Sequence, residues 1–315
     1  MTNVRLAHER LDFFDNRYQM ALSDELAASI AELSSDRTSG DSALTNRAMD
    51  VLAAASASGQ TLHAAAALCR AHPAMASLWN LAVAAVSDEA VPGRLQWFGQ
   101  RRQRSAAALT RFAVPALLPS PPRAMHLITL SSSSAVLAVV RGLRAEVDLH
   151  VSCGEGRPLY EGRQQAAALT ETGAGVRLLT DAGLGAAIDE ADAVLLGADA
   201  VGPQAFINKT GSRMLAAAAQ HRGVAVYVLA AGDKLATPAL WPHLTIQAQA
   251  AAEVWEAPVP DVAVENRYFE VVPLDLATAV ITDMGVLGVD MVPAACASLD
   301  TADTRRSLAE LLRAL

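Results

Sequence analysis

The chain has 315 residues, 52% of them hydrophobic and 18% charged, with a formal net charge of -8. That composition is globular rather than disordered, and the length allows two domains or one large one with a substantial core. The acidic balance argues against nucleic acid as a partner, because phosphate backbones are met by basic surfaces; a local basic pocket for a small phosphorylated ligand is compatible with it.

Residues 1–120 are expected to form a helical domain. Ala, Leu, Arg and Glu dominate, and apolar residues recur at helical spacing, as at Ala43, Ala48, Val51, Leu52 and Ala55. The polar run Ser34–Ser42 interrupts this pattern, and the stretch beginning His72-Pro73-Ala74-Met75 reads as the start of a new helix. The run from Pro115 to Arg123 holds Pro115, Pro119, Pro121 and Pro122 and reads as a linker that cannot continue a helix.

From residue 121 to 315 the texture changes. Candidate strands at Met125–Leu130, Glu146–Cys153, Gly175–Leu179, Ala193–Leu196, Val224–Leu229 and Phe269–Val272 alternate with candidate helices. The helices are placed at Ala135–Leu143, Gln164–Thr172, Gly185–Glu190 and Ser212–His221. Such alternation predicts an α/β domain, a Rossmann-like doubly wound and mostly parallel sheet that binds ligands beyond the carboxyl ends of its strands.

The apolar stretches Met214–Ala219 and Val224–Ala231 are too short to cross a bilayer, so no membrane partner is expected. The N-terminal stretch MTNVRLAHERLDFF is charged and lacks an apolar signal core. Cys69, Cys153 and Cys296 show neither paired nor metal-type spacing. A reduced, cytoplasmic protein with neither disulfides nor a metal is the expectation.

Three polar clusters follow predicted strands, and a fourth, Asn208-Lys209-Thr210-Gly211, enters a predicted helix. The run Thr129–Ser134 places hydroxyls and backbone amides, including those of Ser131, Ser132 and Ser133, where a helix begins; it reads as an anion site or as an ordinary N-cap. In Cys153-Gly154-Glu155-Gly156-Arg157-Pro158 the glycines permit a tight turn. Glu155 and Arg157 can orient a ligand or simply pair, and Cys153 can be an inert buried thiol. Asp199, in Gly197-Ala198-Asp199, is a candidate proton donor or a turn aspartate. Asn208 and Lys209, before Thr210-Gly211, suit hydroxyls and a phosphate, although exposed lysines are common.

In this order, the four clusters resemble those of one family: methylthioribose-1-phosphate isomerase, ribose-1,5-bisphosphate isomerase and the regulatory subunits of translation initiation factor 2B. Asp36-Arg37-Thr38-Ser39-Gly40, His72–Ala76, Thr180-Asp181, Asn266–Glu270 and Ile281–Gly285 extend the resemblance over nearly the whole chain. It implies a homodimer or larger assembly built through the second domain. It also implies conversion of an aldose 1-phosphate to a ketose 1-phosphate without metal or nicotinamide, a cysteine and an aspartate exchanging the protons. Carried over by position, the aspartate is Asp199. Asn208 and Lys209 match ligand contacts, and Arg37, Ser39 and Gly40 match the phosphate loop.

The chain departs from that pattern at four places. Ser131 stands at the position of the isomerase cysteine, His72 at that of a phosphate-gripping arginine, Glu161 at that of a sugar-contacting glutamine, and Asp41 at that of a small neutral residue. A serine hydroxyl is a far weaker acid than a thiol, so Ser131 does not supply the same base near neutral pH. Two expectations follow. One is a sugar-phosphate isomerase with an altered site, in which Cys153, or a water or substrate group activated near Ser131, replaces the thiol. The other is a non-catalytic sensor or scaffold for a sugar phosphate or nucleotide, like the initiation factor subunits.

Overall fold

A computed structural model describes residues 22–37, 39–87, 91–121 and 123–315; the charged N-terminal stretch and Thr38 lie outside the described residues. Helices α1 (Asp24–Ser35), α2 (Asp41–Ala57), α3 (Thr61–Ala71), α4 (Ala76–Val86) and α5 (Val91–Leu117) come first. They bury one alanine- and leucine-rich core around Leu44, Leu52, Leu68, Leu78 and Leu81. The short side chains of Ala48, Ala64 and Ala82 are fully buried and let helices approach closely.

The expected linker is partly helical. Helix α5 continues through Pro115 to Leu117. Pro115 sits in the last turn, where its missing N–H forfeits one backbone bond, and Leu118 N still reaches Val114 O at 3.0 Å.

The second part alternates as expected. The elements are β1 (Met125–Thr129), α6 (Ser134–Arg144), β2 (Leu149–Gly154), α7 (Glu161–Thr170), β3 (Gly175–Leu179), α8 (Leu184–Ala187) and β4 (Ala193–Gly197). Then follow β5 (Ala200–Val201), β6 (Ala205–Lys209), α9 (Ser212–His221), β7 (Ala225–Leu229), β8 (Phe269–Pro273), β9 (Ala279–Thr282) and β10 (Gly285–Gly288). Helices α10 (Val292–Ser298) and α11 (Ala302–Arg313) close the chain.

One sheet runs β10-β9-β7-β4-β1-β2-β3, and β5-β6-β8 form a smaller antiparallel sheet. In the large sheet only β10 is antiparallel to its neighbour. Helix α6 shows why the layers form. Val136, Val139, Val140 and Leu143 recur at 3, 4 and 7 residues and are buried, Ser133 caps its start and Arg141 and Arg144 close its end.

The chain moves outward from β1 to β3 and then returns to β4 on the other side of β1, so the topology switches between β1 and β4. Thr129, the last residue of β1, pairs with Cys153 on one flank and Leu195 on the other. The loops leaving β1 and β4 therefore diverge and open a crevice at the carboxyl edge. The α1–α4 layer lies over this edge, and the last helix returns to it, with Leu308 and Leu311 sharing its core.

Strands β5, β6, β9 and β10 lie outside the expected elements. Asn208 and Lys209 accordingly end a strand of the small sheet, paired with Glu270 and Phe269, instead of opening a helix.

Helix α7 starts directly under the end of β2. A Cβ on Gly162 would stand 1.8 Å from the Gly154 carbonyl oxygen, too close for any side chain. Gly162→Ala should therefore cost about 3 kcal/mol or more, the upper range of overpacking. Gly185→Ala, in open space within a helix, should be neutral or stabilising. Urea denaturation of the two variants checks both; equal stability would refute the close approach.

Candidate active site

A cavity of about 400 Å³ lies where the helical layer meets the carboxyl edge of the sheet. Two helix N-termini face it. Ser39, Gly40, Asp41 and Ser42 come from the start of α2, and Ser132, Ser133 and Ser134 from the start of α6. The hydroxyls of Ser42 and Ser134 stand 3.2 Å apart, so the two ends meet. Converging N-termini present unpaired amides and the positive ends of two helix dipoles. Arg37 stands exposed beside them on the cavity wall.

The opposite wall is a chain of polar contacts. Ser131 adopts a left-handed conformation, φ 67°, which costs a non-glycine residue about 1 kcal/mol. Its hydroxyl donates to Glu161 Oε1 at 2.8 Å. The same oxygen receives the buried Lys209 ammonium at 2.6 Å. Lys209 also lies 5.3 Å from the centroid of Tyr268, whose hydroxyl donates to Glu253. Asn208 donates to Ser212 Oγ at 2.8 Å. Gln165, buried on α7, accepts from Ser133 N at 3.2 Å and so fixes the serine loop.

Asp199 stands beside β4 at the base of the cavity. Burial pushes its carboxyl up to about 7. The Lys234 and Lys209 ammoniums pull it down, and the Asp41 and Glu161 carboxylates add to the rise. Near neutral pH the group is poised between acid and base. Its backbone is pinned from both sides, Asp199 N donating to Ile207 O at 2.8 Å and Ala76 N donating to Asp199 O at 3.0 Å.

Asp41 and Lys234 join the helical layer to the sheet. Lys234 Nζ donates to Ala198 O at 2.6 Å and stands 3.3 Å from Asp41 Oδ2. Ser77 Oγ donates to Asp41 Oδ1, and Arg102 pairs with Asp233 and approaches Asp41 at 4.0 Å. Burial lowers the Arg102 guanidinium from its ordinary value, which Asp41 counteracts. The cavity carboxylates Asp41 and Glu161 thus each face a lysine.

The structure brings together Asp199, Ser131, Ser132, Ser133, Arg37, Ser39, Gly40, Glu161, Asn208 and Lys209. Four other sequence candidates do not line the cavity. Cys153 is fully buried, 3.5 Å from both the Gly154 and the Gly162 carbonyl oxygen, and burial pushes its thiol up to about 12. Its thiol therefore does not reach the cavity. His72 lies in a neighbouring crevice with Nε2 2.9 Å from Leu33 O, and burial lowers its basicity, so it ties α1 down instead of gripping phosphate there. Glu155 faces Arg163 at 3.7 Å. Arg157 lies over Tyr160 and donates to Val254 O at 3.3 Å. Of the two alternatives for Glu155 and Arg157, mutual pairing gives way to separate partners, and neither side chain lines the cavity to orient a ligand there.

Sequence reasoning missed Lys234 and Gln165. Lys234 had a signal, since Gly232-Asp233-Lys234 follows β7 at the same sheet edge. Gln165 had none, because its role depends on where α7 packs.

A doubly wound α/β domain with a helical layer closed over a polar, anion-receptive cavity is the class of protein these features define. The chain belongs to the initiation factor 2 subunit family, whose sequence pattern matches residues 20–289. It is 32% identical over 173 residues to ribose 1,5-bisphosphate isomerase of Archaeoglobus fulgidus, covering 52% of this chain and 54% of that protein. The match thus spans about half the length of that relative. It is 30% identical to a putative translation initiation factor eIF-2B subunit 2-like protein of Pyrococcus furiosus, over 69% of this chain and 76% of that one. Among solved structures, the Pyrococcus horikoshii translation initiation factor eIF-2B superposes with a TM-score of 0.74, 22% identity, 84% of this chain and 98% of that one. At that identity the likeness speaks to the fold. Among the described residues no helix is long and apolar enough to cross a membrane, and no three side chains group as a metal site.

Two measurements follow. All three cysteines are buried and free, so a thiol reagent at pH 8 should label none quickly in native protein and all three after denaturation. The folded state holds a proton on Asp199 up to about pH 7, whereas an ordinary unfolded aspartate releases it near 3.8. Between those values the folded protein binds more protons, so this group's contribution to stability falls as pH rises. Asp199→Asn should accordingly stabilise the protein by roughly 1–3 kcal/mol at pH 8 relative to pH 4. Denaturation at the two pH values reads this directly, and an equal effect at both would refute the raised carboxyl.

Proposed function

We propose that the chain binds a phosphorylated sugar in the 400 Å³ cavity and interconverts an aldose 1-phosphate and a ketose 1-phosphate. The observation that carries this reading is Asp199, pushed up to about 7 at the floor of a cavity whose opposite side is anion-receptive. Such an isomerisation needs a proton on the ring oxygen as the sugar opens. A carboxyl half protonated near neutrality can give one and later accept another. The amides at the starts of α2 and α6, with Arg37, would hold a phosphate dianion, and Asn208 is placed for a sugar hydroxyl. The volume suits a pentose phosphate.

The relative named ribose 1,5-bisphosphate isomerase supports this reading. The relative named for an initiation factor subunit, matched over more of its length, supports a binding role without turnover. The second reading gains from Ser131, which puts a hydroxyl where the isomerases this chain resembles carry a thiol. A homodimer is part of the proposal, and edge strand β10 with Met284, Val286 and Met291 exposed is a surface such an assembly would cover.

Purified protein should be warmed with ribose 1,5-bisphosphate, methylthioribose 1-phosphate, other aldose 1-phosphates and nucleoside monophosphates, and each stabilising compound followed by phosphorus NMR. A ligand at 100 times its dissociation constant contributes about 2.7 kcal/mol, a visible rise in Tm. Conversion supports the isomerase, a stabilising compound left unchanged supports the sensor, and no stabilisation by any of them refutes the sugar-phosphate reading.

A further inference from the structure

Resting on the isomerase reading, we propose that Glu161 is the general base of this site, with Ser131 as the residue that positions it. An aldose–ketose conversion needs one group to give a proton to oxygen and a second to move the proton between neighbouring carbons. Asp199 serves the first need. Each alternative for the second is spent or out of reach. Cys153 is buried under the β2–α7 turn, His72 occupies another crevice, and Tyr268 donates its proton to Glu253. Asp41 is held by Ser77 and Lys234.

Glu161 remains, and the surrounding structure is built around it. It opens helix α7, so the helix dipole favours a negative charge there. Glu161 lines the cavity; its Oε1 takes the Ser131 hydroxyl at 2.8 Å and the Lys209 ammonium at 2.6 Å, while Oε2 is buried without a hydrogen-bond partner and meets a substrate only when the carboxylate turns toward the cavity. One oxygen is anchored and the other keeps its lone pairs. Gly156, at φ 76°, passes close above; a Cβ there would meet the carboxylate carbon at 2.9 Å and both oxygens at 3.0 Å. A side chain at residue 156 would therefore push this carboxylate out of its place.

The step balances without a redox partner. Asp199 gives its proton to the ring oxygen as the C1–O bond breaks. Glu161 takes the C2 hydrogen as a proton, and the freed electron pair forms the C1=C2 bond of an enol phosphate. Glu161 then returns the proton to C1 while Asp199 recovers one from the C2 hydroxyl as the ketone forms.

Glu161→Gln keeps the shape and removes the base. On the aldose 1-phosphate that the wild-type protein converts, E161Q should bind within a few-fold of wild type and lose turnover by about 100-fold or more. Adding a thiol in the double variant S131C/E161Q should recover at least about tenfold of that loss, with a rate that rises toward the thiol's ordinary titration near pH 8.5. Turnover by E161Q within threefold of wild type overturns the base assignment and leaves the isomerase reading standing. Loss of binding together with turnover, unrelieved by the added thiol, overturns it in favour of a structural Glu161. Wild-type protein that binds these sugars and converts none overturns both.

Discussion

Lys234 reaches from the sheet to the helical layer, and the cavity depends on that reach. Its ammonium donates to the Ala198 carbonyl just after β4 and stands 3.3 Å from Asp41 at the first turn of α2. Two elements from opposite ends of the fold are thereby held at a fixed separation, and the space between them is the cavity. A buried charge is tolerated only with a partner, so neither residue is free to change alone without leaving the other unpaired. The backbone bond from Ala76 to Asp199 reinforces the same junction.

The cavity's three carboxylates are differentiated by their partners. Asp41 is spent on closing the structure. Asp199 is desolvated and held near neutrality in its titration, though two lysines and two carboxylates pull on it in opposite directions. Glu161 has an ammonium in direct contact and a hydroxyl beside it. Three carboxylates around one cavity therefore meet three different sets of neighbours, set by the elements that carry them.

Members of this family include both isomerases and initiation factor subunits by name, and one scaffold serving both is expected when function resides in a few side chains at a shared crevice. Taken alone, Ser131 is a hydroxyl in a strained turn at the cavity wall. With Glu161 and Lys209 it becomes part of a polar cluster, because the hydroxyl holds a carboxylate that lines the same cavity. Ser131, Glu161 and Lys209 make physical sense as a set, each contact depending on the other two.

The apolar periodicity of the first hundred residues and the β-α alternation after Met125 were legible in the sequence, because both reflect local burial on one helix face or on both faces of a parallel strand. The order of the polar motifs along the chain also marked Asp199, Ser131 and Lys209, which line one cavity. Local pattern could not reveal the two-residue strand β5, the Asn208–Lys209 strand end, or the continuation of α5 through Pro115. Those depend on which distant segment supplies the partner. Nor could it separate Cys153 from Glu161: both lie near the end of β2, and only the packing of α7 against that end buries the thiol and turns the carboxylate into the cavity. Lys234 became a site residue for the same reason, since its two partners lie far away in the chain and meet it only when the helical layer closes over the sheet.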